Sequence, residues 1–297
     1  MPAPSSGRHY RICKPTAHDR GTVALDVNVL LILLASVVTS AVGALGGLGG
    51  AVLLVPFLVV IGMPVAEAAP IGLVSVATLS IAAGPTHLRY RVVNHRLGLT
   101  TEVASSAGAI VGALVSEGLD DQLLVYVLAA VSLTAAFAGG RRKGVRNLPD
   151  PALGSAAIGE RVGTLAGAYP LNGGVVPYRA IRLKRGLGLM GISGLIAGMA
   201  GVSGGFVKTP ATSEVMHVPT KVAAATTTFT IGVTAASALA VFAVQGRIDP
   251  EAAAASIAGS LVGSMLGVRF QMRLVPSTVR LGLSILLVLV AIVLVVS

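Results

Sequence analysis

Apolar residues fall in long runs along the chain, at about 23–62, 65–86, 99–116, 122–139, 187–212, 219–244, 252–268 and 277–297. Most approach the ~20 residues with which an α-helix crosses ~30 Å of hydrocarbon. The first run is longer. Val27 to Gly62 carries no charge over 36 residues, and as one helix it would measure ~54 Å. A glycine cluster, GGLGG at Gly46–Gly50, sits inside it, and GVSGG at Gly201–Gly205 sits in the fifth run. Glycine lacks a Cβ and loses the most entropy on ordering, so such clusters make poor helix. The pattern predicts a broken or re-entrant element at each cluster. Bare backbone groups are tolerated at membrane depth only where they line a cavity or meet a ligand. The expected fold class is all-α, a polytopic transmembrane helical bundle of about eight to ten membrane segments.

The runs fall into two sets joined by a polar section, and the sets match. Moving the second back by 155 positions lays Gly204-Gly205 on Gly49-Gly50, Pro219 on Pro64, Ala223-Ala224 on Ala68-Ala69 and Thr230 on Ser75. With a four-residue slip, Gly259 and Gly263 fall on Gly108 and Gly112. An ordered series of this kind predicts two homologous repeats, a build common among secondary transporters, with alternating access by one half rocking against the other. The expected organisation is a polar basic tail at 1–22, a first membrane repeat at 23–139, a linker at 140–186 and a second membrane repeat at 187–297. Counting each glycine segment as one crossing gives eight spans. Counting it as two gives ten, inverts the halves, and puts 88–98, 140–186, 213–221 and 269–280 on one face. Either arrangement brings nearly the same number of lysines and arginines to the cytoplasm and places the linker there.

Composition agrees with a membrane protein: 54% hydrophobic, 11% charged, mean hydropathy +0.85 in 297 residues. A soluble domain needs roughly 25% charged residues. The net charge of +10 does not imply nucleic acid, because the basic residues lie between the apolar runs, where the positive-inside rule puts them. The cluster at 141–146 reads as an anchor near anionic lipid. One cysteine, Cys13, excludes an intrachain disulfide and a cysteine-based metal cage. No zinc helix motif, Walker loop or dinucleotide fingerprint occurs, so neither metal nor cofactor is expected.

Lys208 is the sharpest candidate, since a lysine at mid-bilayer depth costs ~2.5–3.5 kcal/mol and usually faces an interior partner. Its counterpart in the first half is Leu53. It reads either as an anion ligand beside the amides of Gly49, Gly50, Gly204 and Gly205, or as a side chain that snorkels to headgroups. The threonines Thr226, Thr227 and Thr230, facing Ser75 and Thr78, read either as hydroxyl donors lining an anion path or as side chains bonded back to their own helix. His87 is a candidate proton-coupling group. Asn94 and Asp249, at matched loop positions, read as helix caps. An enzymatic alternative exists in GVSG at Gly201–Gly204, which has the pattern of the serine motif of rhomboid-type intramembrane proteases, with Ser203 as nucleophile and histidines at 87 and 217. Ser203 falls on Leu48 in the other half, so the glycines are the shared element, and no enzyme activity is expected.

The stretches GMPVAEAAPIGLVSVATLS and HLRYRVVNHRLGL, then GLIAGMAGVSGGFVKTPATSEVMHVPTKVAAATTTFTIGVTAASA and QGRIDPEAAAASIAGSLVGSMLG, resemble the two halves of the TauE/SafE sulfite-exporter family. Pro70 stands where that family usually has a small polar residue, and Leu48 interrupts the first glycine run. The resemblance implies a plasma-membrane permease that moves sulfite, a sulfonate or another sulfur-containing anion, usually outward and linked to the proton gradient. It names no single anion and no ligand set. The implied partners are a small anionic substrate and the lipid bilayer.

Overall fold

The computed structural model describes residues 21–46, 49–140, 158–171, 174–271 and 276–296. The greater part of the tail, Leu48 and the basic cluster at 141–146 lie outside the described residues. Ten α-helices occur among those described: α1 (Gly21–Gly46), α2 (Ala51–Val60), α3 (Val65–Arg89), α4 (His95–Glu117), α5 (Asp121–Gly140), α6 (Leu183–Ala200), α7 (Gly205–Pro210), α8 (Thr220–Val244), α9 (Pro250–Gln271) and α10 (Pro276–Val296). A π-helical turn, Ala211–Val215, continues α7. Helices α3, α4 and α8 are each long and apolar enough to cross a membrane. The linker holds three short antiparallel strands, β1 (Gly159–Glu160), β2 (Ala166–Leu171) and β3 (Gly174–Arg179), in the order β1-β2-β3.

Local chemistry sets the helix boundaries. Pro64 and Pro219 precede α3 and α8 with nearly the same backbone angles, φ −57° and ψ 144° against φ −53° and ψ 134°. Asn94 caps α4, its side chain accepting from the Leu97 amide at 3.0 Å, which satisfies a donor that the first turn cannot. Asp249 does the same for Glu251 at 2.9 Å, just ahead of α9. Both residues are therefore caps, as their loop positions suggest. Helix α2 is apolar around its whole circumference and largely buried, the signature of a helix inside a bundle rather than on its face.

The closest pairs join elements that are distant in sequence. Helix α4 lies along α6, and α1 lies along α9; α3 packs on α8 and α5 on α10. Small residues permit the approach. A Cβ on Gly108 or Gly112 would strike the carbonyls of Gly191 or Leu195, and one on Gly259 or Gly263 would strike those of Leu33 or Val37. Without side chains the backbones touch, which is how helices associate where no water drives them together.

The bundle has two ends. At the linker end, the Asn94 amide group donates to the Tyr178 hydroxyl at 3.2 Å and the Arg96 amide to Glu160 at 3.3 Å. The Ile181 amide, just before α6, reaches the carbonyl of Met216, just after α7, at 3.0 Å. Helices α6 and α7 thus start and finish at that end. At the far end, Arg247 donates to the Ala66 carbonyl at 2.8 Å and to the Ser116 hydroxyl at 3.0 Å, its guanidinium 4.4 Å from the Phe242 ring centre. A cavity of about 500 Å³ opens there, lined by Ile32 from α1, Met63 after α2, Glu67, Arg247, Asp249 and Glu251. Helices α1 and α2 therefore approach and leave by the far end.

Candidate functional site

The interruptions between α1 and α2 and between α6 and α7 meet inside the bundle. Gly49 has φ +86° and Gly201 φ +68°, in the left-handed region that costs a side chain strain. A Cβ on Gly49 would collide with the Ser203 side chain, and one on Gly72 of α3 with the Gly201 carbonyl. Gly49, Gly50, Gly204 and Gly205 are all buried. The Gly205 amide donates to Ser203 Oγ at 3.2 Å, and the Gly204 carbonyl accepts from Ser193 of α6 at 2.8 Å. Ser203, the residue of the protease alternative, is thus engaged by the turn at Gly205 and pressed against Gly49.

One turn past the second interruption stands Lys208, only 2% exposed. Its ammonium donates to Glu102 Oε2 of α4 at 2.9 Å and to the hydroxyl of Thr234 on α8. The Thr234 hydroxyl in turn donates to Glu102 Oε1 and lies 3.4 Å from Ser105 Oγ. Three helices thus contribute one member each to a closed triad of ammonium, carboxylate and hydroxyl. Glu102 is 4% exposed. Moving two such charges out of water costs several kcal/mol each, which only close pairing with further hydrogen bonds offsets. Lys208 does not snorkel to the membrane edge: its charge is neutralised where it stands.

The predicted hydroxyls divide into two groups. Thr226 and Thr230 lie on the α4-facing side of α8, their methyls within ordinary or tighter reach of a Cβ placed on Gly98. Thr234 continues that row at the same spacing of four, one turn of helix. Thr226 accepts from the Asn94 amide at 3.0 Å, and Thr230 donates to the Thr227 carbonyl at 3.3 Å. Thr227 is buried on the same helix. Ser75 belongs to another network, formed with Ser40 of α1 at 3.1 Å and Ser260 of α9 at 2.8 Å, while Ser40 donates to Ser260 at 3.0 Å. Thr78 bonds back to the Val74 carbonyl at 2.9 Å. The structure therefore joins Lys208 to the α8 row and places Ser75 and Thr78 on α3. His87 lies half-buried in the last turn of α3 at the linker end, and His217 adopts φ +58° in the connection after α7.

Glu102, Thr234, Ser40 and Ser260 were not singled out from sequence. For Glu102 the signal was present: it is the one charged residue in the run 99–116, and an ionisable group inside such a run asks for a partner by the rule that marked Lys208.

A helical bundle with helices long and apolar enough to span a membrane and a buried ion triad fits a membrane transporter. The chain is a member of the sulfite exporter TauE/SafE family, whose description matches residues 32–294. It is similar to the protein named "Probable membrane transporter protein YunE" from Bacillus subtilis (strain 168), 23% identical over 282 residues, which cover 88% of this chain and 95% of that one. No solved structure matches it.

Proposed function

We propose that the chain is a secondary transporter that exports a small anion, sulfite or an organosulfonate, across the plasma membrane, coupled to the proton gradient. The observation that carries this reading is the position of Lys208: a buried ammonium at the junction of α4, α7 and α8, one turn from the point where two helix interruptions touch. A cation held inside a bundle is the natural counter-ion for an anionic cargo, and helix interruptions at the midplane are where secondary transporters place their ligands. The family's description supplies the choice of sulfur oxyanions. In this reading Lys208 offsets the ligand charge. Thr226, Thr227 and Thr230 supply hydroxyls along α8, Ser75 and Thr78 do so from α3, and Gly49, Gly50, Gly204 and Gly205 let the ligand approach the backbone. His87 stands as a coupling candidate at the linker end.

We read the bundle as two repeats in opposite orientation, each opening with a re-entrant helical pair. Support comes from matched placement: Pro64 and Pro219 begin the following helices alike, and Gly108/Gly112 and Gly259/Gly263 make equivalent backbone approaches. The pair α1–α2 starts and finishes at the far end and α6–α7 at the linker end. This is the arrangement with inverted halves, in which 88–98, the linker and 213–221 share one face. Arg89, Arg91, Arg96, Arg179 and Arg182 gather there, which favours a cytoplasmic linker.

The test is flux in sealed proteoliposomes. Sulfite or a sulfonate should move faster than thiosulfate or simple carboxylates, and Lys208→Met should insert but transport far more slowly. Unchanged kinetics in that variant would exclude the ligand role.

A further inference from the structure

The charge of Lys208 raises a difficulty for any anion carrier, because Glu102 already cancels it. A monovalent anion brought to the closed triad would meet a neutral site and a carboxylate that repels it. Protonating Glu102 removes both obstacles: the ammonium loses its counter-charge and turns its donors to the anion, while the neutral acid keeps its place as a donor or acceptor to Thr234. We propose that Glu102 is the proton-carrying group of the transport cycle, so that one proton occupies Glu102 whenever the anion occupies Lys208, and the two cross together.

This inference rests on the transport reading above and deepens it. Three features of the structure favour it. First, among the described residues Glu102 has no ionic partner other than Lys208. Helix α6 carries charge only at Lys184 and Arg185 in its first turn, and α8 only at Lys221 in its first turn. Helix α4 carries charge otherwise at His95 and Arg96 at its start and Glu117 at its end, and Glu214 after α7 is exposed. Lys208 is the one charged group that reaches the carboxylate. A change of charge on Glu102 is therefore felt by Lys208 first.

Second, a polar row leads to it. Tyr178 and Asn94 at the linker end, then Thr226, Thr230 and Thr234 along α8, follow the seam between α4 and α8 as far as Glu102. These side chains make the seam polar from that end to the carboxylate. His87 is the last-turn residue of α3, a helix that gives the triad no member.

Third, the three members occur as a set. At a shift of 155 Lys208 and Thr234 correspond to Leu53 and Leu79, and with the four-residue slip Glu102 corresponds to Ala253. None of the three is required to build the bundle: the triad takes Glu102 from the first half and Lys208 and Thr234 from the second, and the equivalent positions, with the halves exchanged, carry none of them. A structural pair would be free to recur; a coupled ligand–proton site needs to exist once.

The balance is simple. The proton comes from the solution on the loading side, adds to a Glu102 carboxylate oxygen in place of the Nζ contact, and leaves on the other side as the anion departs and the pair closes. One monovalent anion and one proton move in the same direction, with no net charge transferred, so outward passage by this cycle is driven by the anion's own gradient and a gradient acid outside favours uptake.

Methanesulfonate is a suitable probe, because a sulfonic acid stays ionised across the working range and any pH dependence reports on the protein. In proteoliposomes holding the full chain and a pH-sensitive dye, methanesulfonate flux should carry ~1 proton per anion and rise by up to ~10-fold per pH unit of acidification on the loading side. An imposed membrane potential should leave it unchanged. In Glu102→Gln, which mimics the protonated acid, the anion should still move, the accompanying proton should disappear, the pH dependence should flatten, and the flux should respond to potential. Glu214→Gln, at an exposed carboxylate outside the triad, should behave as wild type. Should Glu102→Gln not insert, anion binding to the detergent-solubilised wild-type chain decides, since methanesulfonate should draw ~1 proton from a weakly buffered solution. Retained proton co-movement in Glu102→Gln, anion binding without proton uptake, or loss of coupling in His87→Gln instead would overturn the assignment while leaving anion transport intact. A wild-type chain that moves neither sulfite nor methanesulfonate would overturn the transport reading and this one with it.

Discussion

The ion triad makes a prediction about stability that is independent of transport. Lys208 Nζ and Glu102 Oε2 are 2.9 Å apart, with both side chains almost wholly enclosed. At an effective dielectric constant near 20, two unit charges at that distance attract by ~6 kcal/mol before desolvation is subtracted. Removing one partner leaves the other buried and uncompensated, a change that typically costs ~3–5 kcal/mol, whereas removing both is often nearly neutral. Lys208→Met should therefore destabilise the chain, with Glu102 relieving part of the cost by taking a proton. Glu102→Gln should destabilise it by a similar amount, since it leaves the buried lysine without the carboxylate that offsets its desolvation. The double variant Glu102→Gln/Lys208→Met should recover most of the loss, giving a coupling energy of ~3 kcal/mol or more in a double-mutant cycle. Reversible unfolding of the detergent-solubilised chain in a denaturant series measures all four corners. Single variants that each cost under ~1 kcal/mol and simply add in the double would refute the reasoning, because independent sites behave in that way.

Other outcomes follow from the same coordinates. Gly49→Ala meets both a positive φ and the Ser203 side chain, whereas Gly62→Ala meets a positive φ of 98° with no atom within 4 Å. The first should cost ~1–3 kcal/mol more than the second, read by the same unfolding series, and equal costs would mean that the two interruptions do not touch. Asn94→Ala removes the cap of α4 and the donor to Tyr178. It should cost ~1 kcal/mol through the cap alone and speed amide hydrogen exchange in β3, while unchanged exchange there would detach the strands from α4. Burial pushes the Tyr178 phenol up to about 12, with Glu160 adding to the shift and the Asn94 hydrogen bond opposing it. The folded state thus holds its proton more tightly than the unfolded one, so this contribution is complete below ~10, the ordinary tyrosine value, and is lost as pH rises through the folded value. Phenolate absorbance should show late titration at Tyr178, which Asn94→Ala shifts, alongside Tyr169, which burial also raises, and a full set of ordinary titrations would contradict their burial.

Much of this arrangement could be read from the chain, and what escaped has a physical cause. The glycine clusters marked both helix interruptions, because local backbone chemistry alone decides whether a segment can remain helical. The proline pair and the glycines at 108, 112, 259 and 263 entered the sequence reading only as matched positions of the two halves, and the structure puts them at helix starts and close backbone approaches. Lys208 stood out through the cost of its burial. Its partner lies 106 residues away, and which faces of α4 and α8 turn toward α7 depends on how the helices cross, which periodicity does not encode. Thr234 was missed although it extends the row of Thr226 and Thr230 by one further turn. The expected opposition of Ser75 to the threonines did not include Ser40 and Ser260, which hold Ser75 from α1 and α9. The strands of the linker escaped because β2, AGAYPL, and β3, GVVPYR, each contain a proline, which argues against a strand except at an edge.

The pairing of α4 with α6 and of α1 with α9 has a mechanical consequence. Each clasp takes one helix from either side of the linker, and backbones in contact at glycines leave no slack for them to separate. The chain therefore cannot hinge at its midpoint like a book. Two groups result, α1–α2–α3–α9 and α4–α6–α7–α8, and they meet along the seam where α3 packs on α8. Ser80 bolts that seam near the linker end by donating to the carbonyls of Thr228 and Phe229 at 2.9 and 3.0 Å, and Arg247 bolts it at the far end through Ala66. Slippage along it would carry Gly49 past Ser203, one group holding three neutral hydroxyls and the other the ion triad.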